Sequence, residues 1–341
     1  MKKKHVLILL SIIAIAAVGL FIYFYKSSSI KIGHFKGNTK EFFVTENLEK
    51  EQLVEMLLHD SIIENKSELN AAFQLKKFKN AKPGRYVVKK GMSGLDFVSN
   101  LRSGNQTPMM VKVDGVRTIY QLASKLDQQL MYDSTAFLDA MLDSKLLEKY
   151  GLNEFSASAL IFPNTYEYFW TITPAEFISK MEDQYNAYWS DENKEAAKKL
   201  GMSPAEVATL ASIVKGETVN KAEAPKIAGL YLNRLRKGMK LEADPTITFA
   251  SNLKNVSRVK LDPNRAYSPY DTYKNFGLPP GPIFFTEEVY LDAVLHAENH
   301  NYLFMCAQPK GTGFHDFTTN FEAHKVYAKA YRKWLNSINV R

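Results

Sequence analysis

Residues 203–218 read SPAEVATLASIVKGET and join a helix start, an apolar stripe and a carboxylate in one segment. Ser203, Pro204 and Glu206 make the pattern of a capping box with proline in the first turn, which predicts that a helix begins here. The residues that follow at three- and four-residue spacing are apolar: Val207, Leu210, Ala211 and Val214. Glu217 continues that stripe, so the pattern predicts a carboxyl group at the end of the buried face of this helix.

A carboxyl group held against apolar surface is costly to ionise, so we expect the pKa of Glu217 to be raised. A raised carboxyl pKa suits a general acid that protonates a glycosidic oxygen. A structural role is the alternative, because Arg234 and Arg236 follow on the next predicted helix and either is a suitable ion-pair partner. Position alone leaves both roles open.

The composition is that of a globular chain without a strong preference for polyanions. The 341 residues are too many for one core, so two or three domains are expected. Of the 44 Lys and Arg residues, Lys2, Lys3, Lys4 and Lys26 flank an apolar run, which leaves 40 against 36 Asp and Glu residues. We therefore expect no nucleic-acid partner. The single cysteine, Cys306, excludes an intrachain disulfide and a multi-cysteine metal site.

The N-terminal run over residues 6–25 contains no charged residue. As a helix it would rise about 30 Å, the thickness of a hydrocarbon core, and the lysines before it favour a cytoplasmic N-terminus. A cleaved signal peptide is the alternative, but its apolar region is normally ~7–15 residues long. We therefore expect residues 1–26 to be a cytoplasmic tip and a single transmembrane anchor in the cell membrane, with the rest of the chain outside the cytoplasm.

Residues 27–40 are polar and basic, and we interpret them as a linker. From 41 to 126 a strand, a polar turn and an amphipathic helix recur three times, with strands at 42–44, 86–88 and 111–113. The second copy resembles a LysM module, and LysM modules bind glycans that contain N-acetylglucosamine. A small packing module that only positions the rest of the chain is the alternative.

Two later segments have the residue types of a sugar-binding site. Residues 162–170 read FPNTYEYFW, a loop leading into a strand, and their aromatic faces and carboxylate suit a sugar as well as they suit a strand core. Residues 247–249 have the pattern of a strand. The proline- and glycine-rich stretch at 268–282 is a loop of the kind on which functional sites are built.

Taken together, these segments resemble the endolytic murein transglycosylase (YceG-like) family. The matching pieces, in the family's order, are FPNTYE at 162–167, LASIVxxET at 210–218, LNRLxxGMxLxxDPT at 232–246, PYxTY at 269–273, GLPPGPI at 277–283 and GFHDF at 313–317. The chain departs from the family pattern at three positions. Lys215 and Gly216 stand where the family usually has Glu and Lys, and Asp271 stands where it usually has Asn.

The resemblance implies an α+β fold, with a lytic transglycosylase domain over residues 127–341 behind the anchor and the LysM-like modules. Members of the family cleave the β-1,4 bond between N-acetylmuramic acid and N-acetylglucosamine without water and leave a 1,6-anhydro end. Glu217 is implied as the single catalytic acid and base. Motif position and chemistry mark six residues as candidates for binding the substrate: Tyr166, Glu167, Thr218, Asp244, Tyr270 and Tyr273.

The resemblance also implies partners, and other functions stay open beside it. Peptidoglycan strands are the implied substrate, cell-wall synthases are implied neighbours, and the implied role is to end the elongation of nascent strands. No cofactor or metal is expected, because His296 and His300 have a helical metal-ligand spacing but lack the Glu that a zinc protease places after its first His. The alternatives are a non-catalytic peptidoglycan-binding scaffold and a hydrolytic muramidase that pairs Glu217 with Asp244 or Glu167.

Overall fold

The computed structural model describes residues 2–251 and 267–338, and it has the α+β composition that was predicted. The chain divides into two compact units. The first unit comprises Met1–Val111 and Glu167–Ile172, and the second comprises Lys112–Tyr166 and Thr173–Arg341. Each unit is built around its own core.

The first unit contains four helices and six short strands in its described part. In chain order they are α1 (Lys2–Ser29), β1 (Lys31–Ile32), β2 (Thr39–Val44), β3 (Leu48–Glu49), α2 (Lys50–His59), α3 (Asn70–Leu75), β4 (Asn80–Ala81), β5 (Gly84–Lys89), β6 (Met92–Ser93) and α4 (Gly94–Ser103). Two further strands each contribute residues to both units, β7 (Met109–Val113) and, later in the chain, β8 (Asn164–Tyr168).

The recurring strand, turn and helix pattern is present, but its copies are not separate modules. The strand of the first copy, β2, pairs antiparallel with the strand of the second copy, β5, from Thr39 opposite Lys89 to Val44 opposite Gly84. The two copies also share one core, in which Phe42 packs edge-on against Phe97. Within the described residues, the strands of these two copies therefore pair with each other, and the structure does not support the description of these residues as LysM-like modules.

The expected membrane anchor is corrected by the structure. No helix in the described part of the chain combines the length and the apolar character that crossing a membrane requires. The prediction of a transmembrane helix over residues 6–25, and of the single-pass location in the cell membrane that followed from it, is therefore wrong.

The second unit is mainly helical. Its described elements are α5 (Ile119–Asp127), α6 (Ser134–Met141), α7 (Ser144–Lys149), α8 (Pro174–Tyr188), α9 (Asp191–Lys199), α10 (Pro204–Glu217), α11 (Ala224–Arg236), α12 (Asp244–Ala250), α13 (Glu288–Leu295), β9 (Phe304–Ala307), β10 (His315–Thr318) and α14 (Phe321–Ser337). Strands β9 and β10 form an antiparallel pair, with His315 opposite Ala307.

Helix α10 lies at the centre of this unit. The predicted capping box is confirmed: Ser203 Oγ accepts a hydrogen bond from the Glu206 amide at 3.2 Å, and the Glu206 carboxylate accepts one from the Ser203 amide at 2.8 Å. The predicted single apolar stripe is too narrow, because every residue from 207 to 214 is buried. The reason is that α10 packs against α9, α11, α12 and α13. Its C-terminal end, where Glu217 lies, is thereby held from several sides.

Helix α12 replaces the strand expected at residues 247–249. It begins at Asp244, with Pro245 in the first turn, where the missing amide hydrogen of proline has no cost. The β-branched residues that favoured a strand, Ile247 and Thr248, lie instead in a short helix whose start is fixed by this proline. The acidic side chain of Asp244 thus sits in the first turn, where a helix dipole favours negative charge.

Candidate active site

Glu217, the last residue of α10, lines a cleft of about 780 Å³ that is built entirely from residues of the second unit. Residues of α11, α12, β9, β10 and α14 line the cleft together with Glu217. Tyr231, on α11, donates a hydrogen bond from its hydroxyl group to Glu217 Oε1 at 2.6 Å. The carboxyl group is therefore held by one oxygen at the edge of an open space.

The pKa of Glu217 is raised to about 7, and burial is the largest cause. The negative charge of Asp244 raises this pKa further, whereas the hydrogen bond from Tyr231 and the positive charge of Arg234 lower it. This agrees with the expectation drawn from the apolar stripe. A carboxyl group with a pKa near neutrality can both release and recover a proton under ordinary conditions, which is the requirement for an acid and base catalyst.

Sequence reasoning missed Tyr231. Its side chain lies on the apolar face of α11, so the periodicity assigns it to the core, and it is in fact only 2% exposed. Burial raises the pKa of its hydroxyl group well above the ordinary value, so the group remains protonated and acts as a donor. A signal was available, because a buried tyrosine hydroxyl needs a hydrogen-bond partner and Glu217 ends the preceding helix.

Asp244 and Tyr273 form a second polar pair in the same cleft. The Tyr273 hydroxyl donates to Asp244 Oδ1 at 2.6 Å, and both side chains line the cleft with Glu217. Burial, with the bond to Asp244 next, raises the pKa of Tyr273 far above its usual range. The structure therefore brings together three of the seven predicted site residues, Glu217, Asp244 and Tyr273.

The PYxTY segment positions this pair through backbone contacts. Thr272 is buried, and its Oγ1 accepts a hydrogen bond from the Ala243 amide at 3.0 Å and lies 2.9 Å from Thr246 Oγ1. Asp271, where the family usually has Asn, is also buried and accepts from the Tyr273 amide at 3.0 Å. A carboxylate and a side-chain amide oxygen both serve as such an acceptor, so the departure at 271 leaves this turn intact.

Gly216 allows a close approach between α10 and α12. A Cβ atom at this position would lie 2.6 Å from Pro245 Cβ and 3.0 Å from a ring carbon of Phe284. The start of α12, and with it Asp244, therefore packs directly against the backbone beside Glu217. The glycine that the sequence marked as a departure has a steric reason in this chain. Lys215, the other departure, points away and donates to the Phe285 carbonyl at 2.7 Å.

Arg234 does not form the ion pair with Glu217 that position alone had left open. Its guanidinium group is buried and donates to the carbonyl oxygens of Leu303 at 2.6 Å and Leu241 at 2.9 Å, with an ion pair to Glu242 at 3.1 Å. These contacts connect α11 to the loop before α12 and to the start of β9. Arg236 donates instead to Asn233, on its own helix. Glu217 is thus left without a direct cationic partner among the described residues.

The other four predicted residues lie in different settings. Tyr166 donates to the Phe162 carbonyl at 2.8 Å, and burial raises its pKa to about 12. Thr218 is buried and ends α10, with its Oγ1 accepting from the Asn220 amide at 2.9 Å. Tyr270 packs against Phe249, with 4.8 Å between the ring centroids. These three are not among the described residues that line the cleft, and Glu167 is exposed on β8 and belongs to the first unit.

The histidine with a metal-ligand spacing has other partners, and the described side chains that could share a metal ion lie in the first unit. His300 uses both ring nitrogens on the protein backbone, since Nε2 lies 2.8 Å from the Lys226 carbonyl and Nδ1 accepts from the Tyr302 amide at 3.1 Å. Within the described residues, the side chains close enough to share an ion are those of His34, Glu64 and Glu68, in the first unit. There each ring nitrogen of His34 already faces a carboxylate, at 3.0 and 3.3 Å.

Comparison with known proteins places these features in a family. A family model described as the YceG-like family matches residues 42–330. An endolytic murein transglycosylase of Bacillus subtilis (strain 168) is 37% identical over 180 residues, which cover 52% of this chain and 48% of that protein. An endolytic murein transglycosylase of Streptococcus pneumoniae serotype 2 (strain D39) is 27% identical over 245 residues, covering 61% of this chain and 43% of that protein. The chain thus spans about half the length of the curated relatives it matches.

A solved structure shares the fold. A YceG-like protein of Listeria monocytogenes, with a crystal structure at 2.6 Å resolution, superposes with a TM-score of 0.55 over 85% of this chain and 98% of that chain. The two sequences are 22% identical, so this likeness shows the fold alone.

Proposed function

Since this chain belongs to the YceG-like family, we propose that it is an endolytic murein transglycosylase with Glu217 as its single acid and base. Its substrate would be a peptidoglycan strand, cut at the β-1,4 bond between N-acetylmuramic acid and N-acetylglucosamine. The observation that carries the proposal is the carboxyl group of Glu217, which faces an open cleft with a pKa near 7. The names of the curated relatives support the same activity.

The reaction needs one carboxyl group because the nucleophile is part of the substrate. Protonated Glu217 gives its proton to the glycosidic oxygen, and the bond from that oxygen to the muramyl anomeric carbon breaks. The carboxylate then removes the proton of the muramyl 6-hydroxyl group, whose oxygen bonds to the anomeric carbon and closes the 1,6-anhydro ring. The hydroxyl group is already tethered to the sugar, so its effective concentration is high. Glu217 ends the cycle protonated.

The hydrogen bond from Tyr231 would give the two carboxyl oxygens of Glu217 different roles. Its hydroxyl group donates to Oε1, so Oε2 is the oxygen left to carry the proton. The same bond strengthens when the carboxylate forms after proton transfer, since hydrogen bonds to charged acceptors are stronger than those to neutral ones. Tyr231 is therefore proposed as the group that orients Glu217 and stabilises its ionised form.

Asp244 and Tyr273 are proposed to act on the sugar. The charge of Asp244 favours both the protonated form of Glu217 and the positive charge that develops at the anomeric carbon as the bond breaks. Tyr273 holds Asp244 through its hydroxyl group and lines the cleft. Substrate binding by Tyr166, Glu167, Thr218 and Tyr270 stays a prediction.

The test is a digest of purified murein by the full chain, with products identified by mass spectrometry. We expect wild type to release muropeptides that are lighter by one water than hydrolytic products, because the anhydro ring forms without water. Glu217→Gln keeps the shape of the side chain and removes the proton, so we expect the rate to fall roughly 10²–10⁴-fold. Glu195→Gln, on the surface of α9, is the matched control and should cut at the wild-type rate.

A hydrolytic muramidase is the second candidate, and the charge of Asp244 favours it. An ordinary glycosidase needs a second carboxylate, and Asp244 lies near enough to Glu217 to raise its pKa. Products with free reducing ends would support this function and contradict the transglycosylase. A third result, with murein bound but not cut by wild type, would favour the non-catalytic scaffold.

Two broader proposals follow from family membership. One is that the chain acts within nascent strands and so ends their elongation, with cell-wall synthases as neighbours. The other is that residues 127–341 form the catalytic domain; all the described residues that line the cleft lie in this range except Arg117.

A further inference from the structure

A buried carboxylate and a histidine form a pair that the proposed reaction does not use. Glu223 stands at the start of α11, and His315 is the first residue of β10. Glu223 is only 7% exposed. Its Oε1 accepts from the backbone amide of His315 at 2.9 Å, and its Oε2 lies 2.7 Å from His315 Nδ1. Both carboxylate oxygens are thus committed to one residue.

This pairing fixes the tautomer of the imidazole ring. An ionised carboxylate can only accept hydrogen bonds, so the proton of a neutral His315 ring resides on Nδ1. The other ring nitrogen, Nε2, then presents a lone pair. Among the described residues Nε2 has no hydrogen-bond partner. The buried polar atoms that lack a partner do not include it, so Nε2 is not fully buried.

The ring of His315 lines the same cleft as Glu217. It lies at the start of β10, whose partner residue Ala307 on β9 borders the cleft as well. The ring plane is supported from the side by Phe317, with the two centroids 6.3 Å apart. His315 thus lines the space that the proposed function assigns to a glycan, and its Nε2 has no hydrogen-bond partner among the described residues.

We propose that His315 Nε2 accepts a hydrogen bond from a donor group of the bound sugar, a hydroxyl or an acetamido N–H, and that Glu223 is the positioning residue that makes Nε2 an acceptor. The inference rests on the proposed function, because it takes the ligand to be a murein glycan. It assigns a second polar anchor to the cleft, on the strand pair and not on the helices that carry Glu217 and Asp244.

The alternative is a purely structural role for Glu223 and His315, in which the pair only connects β10 to the start of α11. A structural pair and a substrate-binding pair both contribute to stability, so unfolding measurements do not separate them. Glycan affinity and the ring nitrogen signals do separate them, because a purely structural pair leaves both unchanged when the sugar binds.

The first measurement is affinity for an uncut ligand. The full chain with Glu217→Gln is titrated with a soluble, peptide-free tetrasaccharide of alternating N-acetylglucosamine and N-acetylmuramic acid. We expect His315→Gln in this background to bind about tenfold more weakly, the loss of one hydrogen bond in a desolvated site. His296→Gln, an exposed histidine outside this cleft, is the control and should bind as tightly as the background protein.

Glu223→Gln tests the positioning role. The substituted amide side chain keeps one oxygen for the His315 amide and turns its NH₂ group toward Nδ1, so the ring proton moves to Nε2 and the acceptor becomes a donor. We expect the same loss of affinity as in His315→Gln. Nitrogen-15 spectra of the histidine rings should show the Nδ1–H tautomer in the background protein, the Nε2–H tautomer in this variant, and a shift of His315 Nε2 when the tetrasaccharide is added to the former.

The outcomes decide between the possibilities. If the background protein binds the tetrasaccharide while His315→Gln binds equally well and the Nε2 signal does not move, this inference is wrong and the proposed function stands. If neither wild type nor the background protein binds the tetrasaccharide, and wild type does not cut murein, both are wrong. The spectra of the unsubstituted pair are decisive even where a variant fails to fold.

Discussion

The carboxyl group of Glu217 titrates near neutrality, so the rate of the proposed reaction should depend on pH in a defined direction. Only the protonated form can donate to the glycosidic oxygen, and its pKa is about 7. We expect kcat/KM to be level in mild acid and to fall tenfold per pH unit above a midpoint near pH 7. The measurement is the initial rate of murein cleavage from pH 5 to 9. A rate that stays level to pH 9 would contradict Glu217 as the acid.

The same shift has a consequence for stability. The folded-state pKa of Glu217 lies above that of an ordinary glutamate, so the folded protein binds more protons than the unfolded one between about pH 4.5 and 7. Stability from this group is therefore present at low pH and is lost as pH rises through 7. Glu217→Gln removes the penalty, so we expect it to stabilise the protein by about 3 kcal/mol at pH 8 and by almost nothing at pH 4.

Urea unfolding at the two pH values measures this difference. Glu195→Gln, at an exposed position on α9, is again the control. Equal stabilisation by Glu217→Gln at both values would mean that the pKa of Glu217 is ordinary.

Tyr231 should matter through the ionised form of its neighbour. Tyr231→Phe keeps the buried ring and removes the donor to Oε1, and because that hydrogen bond lowers the pKa of Glu217 in the native protein, its loss raises this pKa. We expect the falling limb of the pH profile to move above pH 7 and the rate at its plateau to drop about 10- to 100-fold. Tyr120→Phe, exposed on α5, is the control. A lower rate with an unmoved limb would mean that Tyr231 only fills space.

The sequence predicted these roles unevenly, for physical reasons. The position of Glu217 was predictable because a helix start and an apolar period fix which residue reaches the end of the buried face; its catalytic role stays a prediction. Tyr231 was missed because periodicity reports that a side chain is buried and not what its hydroxyl group contacts. Asp244 and Tyr273 were marked only by their motifs, and the bond between them joins residues 29 positions apart, beyond the reach of any local pattern.

The close approach of α10 to α12 depends on Gly216, which has no side chain. Gly216→Ala would place its Cβ 2.6 Å from Pro245, so the start of α12 must move and carry Asp244 with it. Alanine gains about 1 kcal/mol in helix propensity, but overpacking of this kind costs about 1–3 kcal/mol. We expect a net loss of stability and at least a tenfold loss of cleavage rate.

The matched control is Gly19→Ala on α1, another helical glycine, where an added Cβ would meet no atom within 4 Å. It should not lower stability and should leave the rate unchanged. Murein cleavage and thermal unfolding of the two variants are the measurements. A Gly216→Ala protein with wild-type rate and stability would show that α12 has room to adjust.

The start of a helix was predictable where the sequence contains a specific cap. It was not predictable where residues with high β-propensity follow the helix start. The capping box at Ser203 placed the start of α10 correctly, since its two reciprocal bonds involve residues only three apart. At α12 the β-branched residues Ile247 and Thr248 favoured a strand, but the Asp244-Pro245 start and the bonds of Thr246 to Ala243 and Thr272 favour a helix. The contact between Thr246 and Thr272 depends on a loop that is distant in sequence.

The division of the chain into units was the feature of the fold that the sequence predicted least well. Three similar strand, turn and helix copies suggested small independent modules. In the structure the strands of the first two copies pair with each other and the helices fill one core, since neither copy has enough apolar surface to fold by itself. Local patterns identify the elements of a repeat, but strand pairing between copies determines whether they form one body or several.

The unit that holds the cleft predicts where along the chain the proposed glycan should bind. Every cleft residue belongs to the second unit, so we expect hydrogen exchange of the Glu217→Gln protein to slow on tetrasaccharide binding in peptides that cover 216–248 and 304–318. Peptides that cover β5 and α4, residues 84–103, should exchange at the same rate with and without the sugar. Strong protection at 84–103 would contradict this and would mean that the first unit itself binds glycan, as a true LysM module does. Protection that includes β10 as well as the end of α10 would support the proposed contact of His315 with the same glycan.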